Sequence, residues 1–463
     1  MRLAVLGSGP GGYVAAIRAA QLGAHVTIIE DTEVGGTCLN WGCIPTKTMT
    51  ASAECMARAG EFEKFGIEIR GEVIPDLAKI IERKNKVVST QVKGIRGLFK
   101  SWGIELREGR GVLKSPGQVE VTNKGGDRET IEADRIIIAT GSRPAHIPAL
   151  PFDGKYIISS TDALELREIP RSLIIVGGGV IGSEFASIYA ELGTDITIVE
   201  MLPRAVSTED HEISGLLARE FKKKKIKLIT GTKVERVETG EKGVRAFLSN
   251  GEALTAEKLL VSIGRALNSE NIGLEALGIA KGPRGEISVN RRLETSVPGI
   301  YAIGDVTGGL LLAHTASREG MIAVKNIMGT PAEIDYSVVP SAIFTLPEIA
   351  SVGLREYQAE EEGINFRTGH FEFRALGKAH AIGEISGFVK IIADASTDKI
   401  LGVHIIGPHA SDLIHEAAVA MRSGLTVSDI ADTIHAHPTL SEGIMEAAED
   451  VHGTAIHIPK KRI

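Results

Sequence analysis

The sequence predicts an α/β chain of two Rossmann-like nucleotide-binding domains followed by a C-terminal α+β domain. Three observations predict it. A strand, glycine loop, helix, strand pattern occurs twice; each copy meets an acid 23 positions past its first glycine; and the last third, from Tyr336, has strand-like runs and then helices but no glycine fingerprint. At 463 residues the chain is too long for one core, and about three domains are expected.

In the first copy the apolar run Leu3-Ala4-Val5-Leu6 leads into Gly7-Ser8-Gly9-Pro10-Gly11-Gly12. Helical spacing follows from Tyr13 to Leu22, Gly23 closes the helix, and Val26-Thr27-Ile28-Ile29 forms a strand ending at Glu30. In the second copy Leu173-Ile174-Ile175-Val176 leads into Gly177-Gly178-Gly179-Val180-Ile181-Gly182, a helix runs through Leu192, and Ile196-Thr197-Ile198-Val199 ends at Glu200. A lone G-x-G-x-x-G is weak evidence. Between a strand and a helix, with an acid at the next strand end, it has the context of a dinucleotide site. Gly7 and Gly177 permit the tight turn, Gly9 and Gly179 admit a pyrophosphate, and Gly12 and Gly182 let helix pack closely on strand. Free amides at the helix N-terminus meet the phosphate charge. A carboxylate accepts hydrogen bonds from ribose hydroxyls and repels a 2′-phosphate, so Glu200 favours NAD over NADP. Two dinucleotide sites in one chain imply electrons passing between two cofactors, the first held tightly, and point to a flavoprotein.

Each copy later reaches an apolar strand ending in glycine, Gly141 in the first and Gly264 in the second. Gly7 to Gly141 spans 134 positions and Gly177 to Gly264 only 87, so the first copy carries 47 more. Much of the surplus falls in residues 35–102, which include all three cysteines, Cys38, Cys43 and Cys55. A disulfide-stapled secreted fold would spread an even number along the chain, and a zinc site would want four ligands. Clustered cysteines point instead to redox chemistry. Five residues of regular helix rise about 7.5 Å, beyond a disulfide's reach. A Cys38–Cys43 bond therefore needs a distorted turn, to which Gly42 and Pro45 are suited, and such a bond would be reducible. Two free buried cysteines are the alternative, and Cys55 reads as a packed small hydrophobe.

With 43% hydrophobic and 24% charged residues the composition is ordinary globular. A net charge of -7 argues against nucleic acid or an anionic membrane as the main partner. The basic runs at residues 222–225 and 460–462 read as solvated face and tail. No apolar stretch approaches the roughly 20 residues that span a bilayer. Met1-Arg2 runs straight into the first strand with nothing resembling a signal or transit peptide, so a cytoplasmic location is expected, with a processed organellar form as the alternative.

Gly35-Gly36-Thr37-Cys38-Leu39-Asn40-Trp41-Gly42-Cys43-Ile44-Pro45-Thr46-Lys47 resembles the active-site segment of the pyridine nucleotide-disulfide oxidoreductases, and the resemblance runs essentially end to end. It implies FAD in the first copy, NAD in the second, a redox disulfide between Cys38 and Cys43, and a C-terminal dimerisation domain. Lys47 would sit near the reactive flavin nitrogen with Glu184 as its ionic partner. Thr140, Gly141 and Ser142 resemble one FAD motif, and Asp305, ending a strand, would accept hydrogen bonds from ribitol hydroxyls in another. Leu311, Leu312, Ala313 and His314 resemble the stretch whose backbone lies along the flavin, and Gly111 is an expected FAD backbone contact. Val234 and Gly264 are expected on the NAD side.

Near the far end stands His435-Ala436-His437-Pro438-Thr439-Leu440-Ser441-Glu442. Thiol exchange needs a thiolate, which a histidine can generate when a carboxylate holds its other ring nitrogen. His437 and Glu442 resemble the family's base and orienting acid, with His435 as support. Family members are dimers whose base reaches the partner's cysteines, and residues 412–421 resemble the interface helix, although an ordinary core helix also fits that stretch.

Within the family, Glu200 disfavours the NADP-using reductases, and the C-terminal residues 456–463 lack the cysteine pair of mercuric reductase. The segment around His437 most resembles the branch that oxidises protein-bound dihydrolipoamide with NAD. Its implied partners are a second copy and the lipoyl-bearing domain of a 2-oxo acid dehydrogenase or glycine cleavage complex. An NADH-dependent reductase of another disulfide or of a quinone is the alternative. The expected division is an FAD-binding domain at 1–147, an NAD-binding domain at 148–267, a return segment at 268–335, and an interface domain at 336–463. One departure is Ala266-Leu267-Asn268, where the family usually carries a basic residue and then proline; a looser turn near the NAD site is expected.

Overall fold

A computed structural model describes residues 1–459; the basic tail at 460–462 lies outside the described residues. The first glycine-loop copy builds a five-stranded parallel sheet in the order Ile300–Ala302, Arg135–Ile138, Arg2–Leu6, His25–Glu30, Glu105–Glu108. The second builds the same order with Ile157–Ile158, Lys258–Val261, Ser172–Val176, Asp195–Val199 and Lys227–Ile229. The central strands are apolar on both faces, as a parallel sheet covered on both sides requires, while the edge strands Glu105–Glu108 and Lys227–Ile229 bury no residue fully.

The repeat reaches further than its glycines. Each copy inserts a three-stranded antiparallel meander between its third and fourth sheet strands, at Arg110–Ser115, Gln118–Thr122 and Arg128–Glu132, and at Val234–Gly240, Gly243–Leu248 and Ala253–Ala256. The fifth strand distinguishes the copies. In the second sheet it precedes the glycine loop; in the first it arrives from Ile300–Ala302, so the chain leaves the first sheet, builds the second, and returns.

The helix after the first loop spans Pro10–Gln21, starting three residues earlier than the apolar spacing indicates, because Pro10 supplies helical φ at a position where its missing N–H is not needed. The 47-residue surplus is largely helix: Gly36–Trp41, Cys43–Ala59 and Leu77–Ser101. Cys55 corrects its expectation; it is exposed, on the outer face of Cys43–Ala59. Leu267, where the family usually carries proline, corrects another. Arg265–Leu267 runs as a strand paired antiparallel with Ser142–Pro144, and Asn268 is tied to Gly141 and Thr140 through both backbone and side chain, so this turn is pinned rather than loose.

The C-terminal part is an antiparallel sheet ordered Ser341–Ile343, Glu348–Gly353, Ile400–Gly407, Phe388–Asp394, Phe366–Glu372. One face packs on helices Ala410–Ser423, Val427–Ala431 and Glu442–Val451, with Val389 and Ile391 beside Ile414 and Ile444 in one core. Residues one step along the pleat turn the other way: Phe388 and Ile406 join Leu217 and Phe221 of the second nucleotide unit. Lys390 on that face, 3% exposed at its side chain, is ion-paired to Asp210, Glu212 and Glu356.

Two glycines of the first loop should behave oppositely. A Cβ on Gly12 would stand 2.0 Å from the Gly7 carbonyl oxygen, whereas one on Gly9 meets nothing within 4 Å. Gly12→Ala should cost about 2 kcal/mol or more in thermal unfolding of the flavin-free chain, and Gly9→Ala well under about 1 kcal/mol; equal losses would contradict the packing described.

Candidate active site

Cys38 lies in helix Gly36–Trp41 and Cys43 opens helix Cys43–Ala59. Between them Gly42 takes φ −142° and ψ −112°, so the helix breaks there. A Cβ on Gly42 would stand 3.0 Å from the Thr37 carbonyl oxygen and 3.3 Å from the Cys38 Cα, which is how tightly the break folds. Pro45 falls in the first turn of the second helix, where no N–H is required. Both cysteines are free thiols, the reduced form of the expected pair. They are nonetheless neighbours, hydrogen-bonded to each other because the break removes the axial separation of a regular helix.

That bond divides their properties. The Cys38 S–H donated to Cys43, with help from the Lys47 ammonium, holds the Cys43 thiol down to about 7 against the opposing effect of burial. Cys38 is pushed strongly up by the same bond, by burial and by the adjacent Cys43 charge. Cys43 is the thiolate of the pair.

Lys47, one turn past Cys43, reaches Glu184 of the helix Val180–Glu191, with Nζ 2.8 Å from Oε1 and 2.9 Å from Oε2. The Glu184 side chain is 5% exposed. Glu184 Oε1 also accepts the Phe344 N–H at 2.9 Å, and Lys47 Nζ lies 4.3 Å from the Phe344 ring centroid. The pair expected from sequence thus joins residues from three parts of the chain.

The thiols open onto a cavity of about 1380 Å³. Gly7, Gly9, Glu30, Gly111, Thr140, Gly141 and Ser142 line it, as do Asp305, Leu311, Leu312, Ala313 and His314, together with Lys47, Glu184 and both cysteines. Gly12 lies behind the Gly7 carbonyl and takes no part in the lining. The N-terminus of Pro10–Gln21 faces the space left open at Gly9. Glu30 is fixed by Ser8, whose N–H and Oγ–H donate to Oε2 at 2.8 and 2.7 Å, and by Thr32 on Oε1. Asp305 is not at a strand end but in the 3-10 turn Gly304–Thr307, because the strand stops at Ala302. Its Oδ2 accepts the Ser142 hydroxyl.

The second loop stands apart from this cavity. Gly177, Gly179, Gly182, Glu200 and Gly264 do not line it, although Val180 and Ile181 of the following helix do. A Cβ on Gly179 would again meet nothing within 4 Å, and Glu200 is held by the Gly178 N–H at 2.6 Å and the Leu202 N–H at 2.7 Å. Val234 opens the strand Val234–Gly240, 3% exposed in one core cluster with Val176 and Val199, so only its backbone is available to the NAD side.

His437 and Glu442 are brought together but not to the thiols. His437 Nδ1 is 2.8 Å from Glu442 Oε1, and the Thr439 N–H donates to Oε2 at 2.8 Å. Burial works to raise the Glu442 carboxyl, yet the Thr439 N–H and His437 hold it below the usual range. The His437 side chain is 76% exposed and outside the cavity, and among the described residues its Nε2 has no hydrogen-bond partner. His435 bonds Glu416 at 2.8 Å and braces the same loop. Helix Ala410–Ser423 buries Ala410, Ile414, Ala417 and Ala420 and leaves Val419 65% exposed.

Sequence reasoning passed over Arg265, whose buried guanidinium donates Nε–H to Ser142 Oγ at 2.6 Å and Nη2–H to the Ser142 carbonyl at 2.8 Å. Its position directly after Gly264 was the one available signal. Ser8 and Thr32 were also missed, as was the contribution of Pro340, Ser341, Ala342 and Phe344 to the cavity wall.

A thiol pair on the wall of a dinucleotide-sized cavity, in a chain that carries a second dinucleotide loop outside it, defines a nucleotide-dependent disulfide oxidoreductase. The chain belongs to the pyridine nucleotide-disulphide oxidoreductase family, whose model matches residues 1–320 and whose dimerisation domain matches residues 339–448. It is 46% identical to a dihydrolipoyl dehydrogenase of Bacillus subtilis over 467 residues, covering 98% of both chains. It is 45% identical to one of Chlamydia muridarum over 460 residues, covering 99% of this chain and 98% of that one. Among solved structures, LpdA from Mycobacterium tuberculosis superposes with a TM-score of 0.92 at 31% identity, covering 97% of this chain and 99% of that one. As in its family, FAD and NAD are the cofactors, and the C-terminal sheet and helices carry the dimerisation domain.

In the reduced protein, alkylation of Cys43, mapped by peptide mass, should rise with pH through a midpoint near 7. Cys38→Ala removes the donated S–H and should move that midpoint up by about one unit or more, toward the ordinary thiol range. An unmoved midpoint would contradict the sulfur–sulfur hydrogen bond as its cause.

Proposed function

We propose that this chain is a dihydrolipoyl dehydrogenase, oxidising protein-bound dihydrolipoamide to lipoamide and reducing NAD+ to NADH. The observation that carries the reading is the adjacent Cys38 and Cys43 on the wall of the large cavity, with the Lys47–Glu184 pair beside them. FAD fits this cavity by the open face at Gly9, which suits a pyrophosphate, and by two carboxylates in its lining, Glu30 for ribose and Asp305 for ribitol. Gly7, Gly111, Thr140, Gly141 and Ser142 would hold it along the backbone, with Leu311, Leu312, Ala313 and His314 beside the ring and Lys47 at its reactive nitrogen. Gly177, Gly179, Gly182, Glu200 and Gly264 would hold NAD, with Glu184 reaching toward the ring end. Bound there, FAD supplies the two-electron relay between the dithiol and NAD+.

The chain's own residues perform the thiol chemistry. His437, supplied across the dimer by the second subunit, takes the proton from one substrate thiol while Glu442 steadies the imidazolium. The substrate thiolate attacks Cys38 Sγ of the oxidised pair, forming a mixed disulfide and breaking the bond to Cys43, which leaves as the thiolate that its surroundings favour. The second substrate thiol then attacks the substrate sulfur of the mixed disulfide, its proton passing to the departing Cys38 sulfur. Lipoamide departs as the cyclic disulfide, Cys38 is left as a thiol, and the first proton stays on His437 until it is released to solvent. Two electrons now reside on the reduced cysteine pair, ready for the flavin. We assign the division 1–147, 148–267, 268–335 and 336–463 to FAD-binding, NAD-binding, return and interface parts. We assign the enzyme to the cytoplasm beside a lipoyl-bearing domain of a 2-oxo acid dehydrogenase or glycine cleavage complex; the three cysteines, confined to one segment, suit a reducing compartment.

Steady-state NAD+ reduction with dihydrolipoamide tests the reading; negligible turnover alongside brisk NADH oxidation by another disulfide or a quinone would reject it. His437→Gln should lower kcat about 10²- to 10⁴-fold, and Cys43→Ser should abolish turnover. Mixing these two variants should restore activity, because each mixed dimer assembles one site with an intact base and intact thiols. No recovery in a verified mixed dimer would place the base and thiols of one site on the same chain.

A further inference from the structure

We infer that Glu319 is a positioning residue that sets Asp305 for the flavin, acting from behind the cavity wall. The inference rests on the reading of Asp305 as the ribitol acceptor. Glu319 is 2% exposed, in the helix Ala313–Ile327 whose first residues line the cavity. It does not line the cavity itself, and among the described residues no cation pairs with it. A buried carboxylate without a counter-ion is costly, so its hydrogen bonds must account for its presence. Burial does push its carboxyl up, against the two bonds it accepts.

Both oxygens are committed. Oε2 accepts the Gly304 N–H at 2.6 Å, and Oε1 accepts the Tyr336 hydroxyl at 2.6 Å. Gly304 opens the 3-10 turn at φ +71°, and its N–H is one of the donors such a turn leaves without a partner of its own. The next residue is Asp305, whose Oδ2 takes the Ser142 hydroxyl, which in turn takes Arg265 Nε–H at 2.6 Å. Glu319 therefore pins the turn from the rear while Ser142 and Arg265 hold its carboxylate from the side. It also locks that turn to the helix whose N-terminus meets the same cavity.

A glutamine can keep this arrangement, its carbonyl oxygen accepting from Gly304 and its amide donating to the Tyr336 oxygen. A methionine of similar size leaves both partners unsatisfied but suits an apolar interior. The rate at which FAD leaves the diluted holoprotein, followed by flavin fluorescence, separates the two. Glu319→Gln should release FAD within about threefold of the parent rate, and Glu319→Met at least about tenfold faster, near 1.4 kcal/mol. A packing role would reverse that order. Asp305→Asn should also speed release, and with Glu319→Met the effects should be non-additive, since both act through one carboxylate. If Asp305→Asn speeds release while the two Glu319 variants match the parent, or if the effects add, the inference is overturned and the reading of Asp305 stands. If Asp305→Asn changes nothing, that reading falls and takes the inference with it. Should Glu319→Met fail to fold, Tyr336→Phe, at a 44% exposed position, replaces it in the cycle. It should speed release about threefold, again non-additively with Asp305→Asn, and a parent-like rate would overturn the inference.

Discussion

The arrangement depends on the ion pair between Lys47 and Glu184. One partner stands a turn beyond Cys43, the other on the first helix of the second nucleotide unit, and Phe344 of the C-terminal part closes on both. Taking the two charges out of water is expensive, and removing one of a buried pair costs about 3–5 kcal/mol because the other is left uncompensated. Lys47 is less enclosed than Glu184, with 29% of its side chain exposed against 5%, so the lower end of that range applies to loss of Glu184, which leaves the lysine, and the upper end to loss of Lys47. The same ammonium that fastens three parts of the chain also favours the thiolate at Cys43. Architecture and reactivity share a single charge.

Around that anchor, the fold assigns separate tasks to similar groups. The break at Gly42 places two cysteines within hydrogen-bonding reach and makes them unequal, one keeping the proton and one suited to carry charge. The two nucleotide units use one design, yet only the first opens into the large cavity, because its insert and its returning strand build walls the second lacks. His437 and Glu442 are fully formed as a pair and face outward. The histidine pair and the thiols thus lie apart on one chain, and in the reaction proposed above the dimer brings them together.

Local pattern made much of this legible. The strands around both loops are apolar runs bounded by glycine, and the close approaches at Gly7, Gly12, Gly177 and Gly182 leave room for nothing larger, so the sequence had little freedom there. Lys47 and Glu184 were legible through resemblance, not spacing, since 137 positions separate them. What stayed hidden is long-range. Arg265 and Ser142 meet because two exit strands pair, and Glu319, Gly304 and Tyr336 meet because a helix, a turn and an interdomain link converge. Cys55 misled for a related reason: a small apolar residue is usually packed, but its position on helix Cys43–Ala59 turns it outward. Leu267 misled in the opposite direction, since the segment that lacks proline pairs as a strand.

Placement of the Cys43 thiolate against the flavin ring is most directly tested by the visible spectrum during anaerobic titration with dihydrolipoamide. The expected result is a broad long-wavelength band that grows to completion with one equivalent of dithiol and is lost in Cys43→Ser. Bleaching of the flavin with no such band at any stage would contradict that placement.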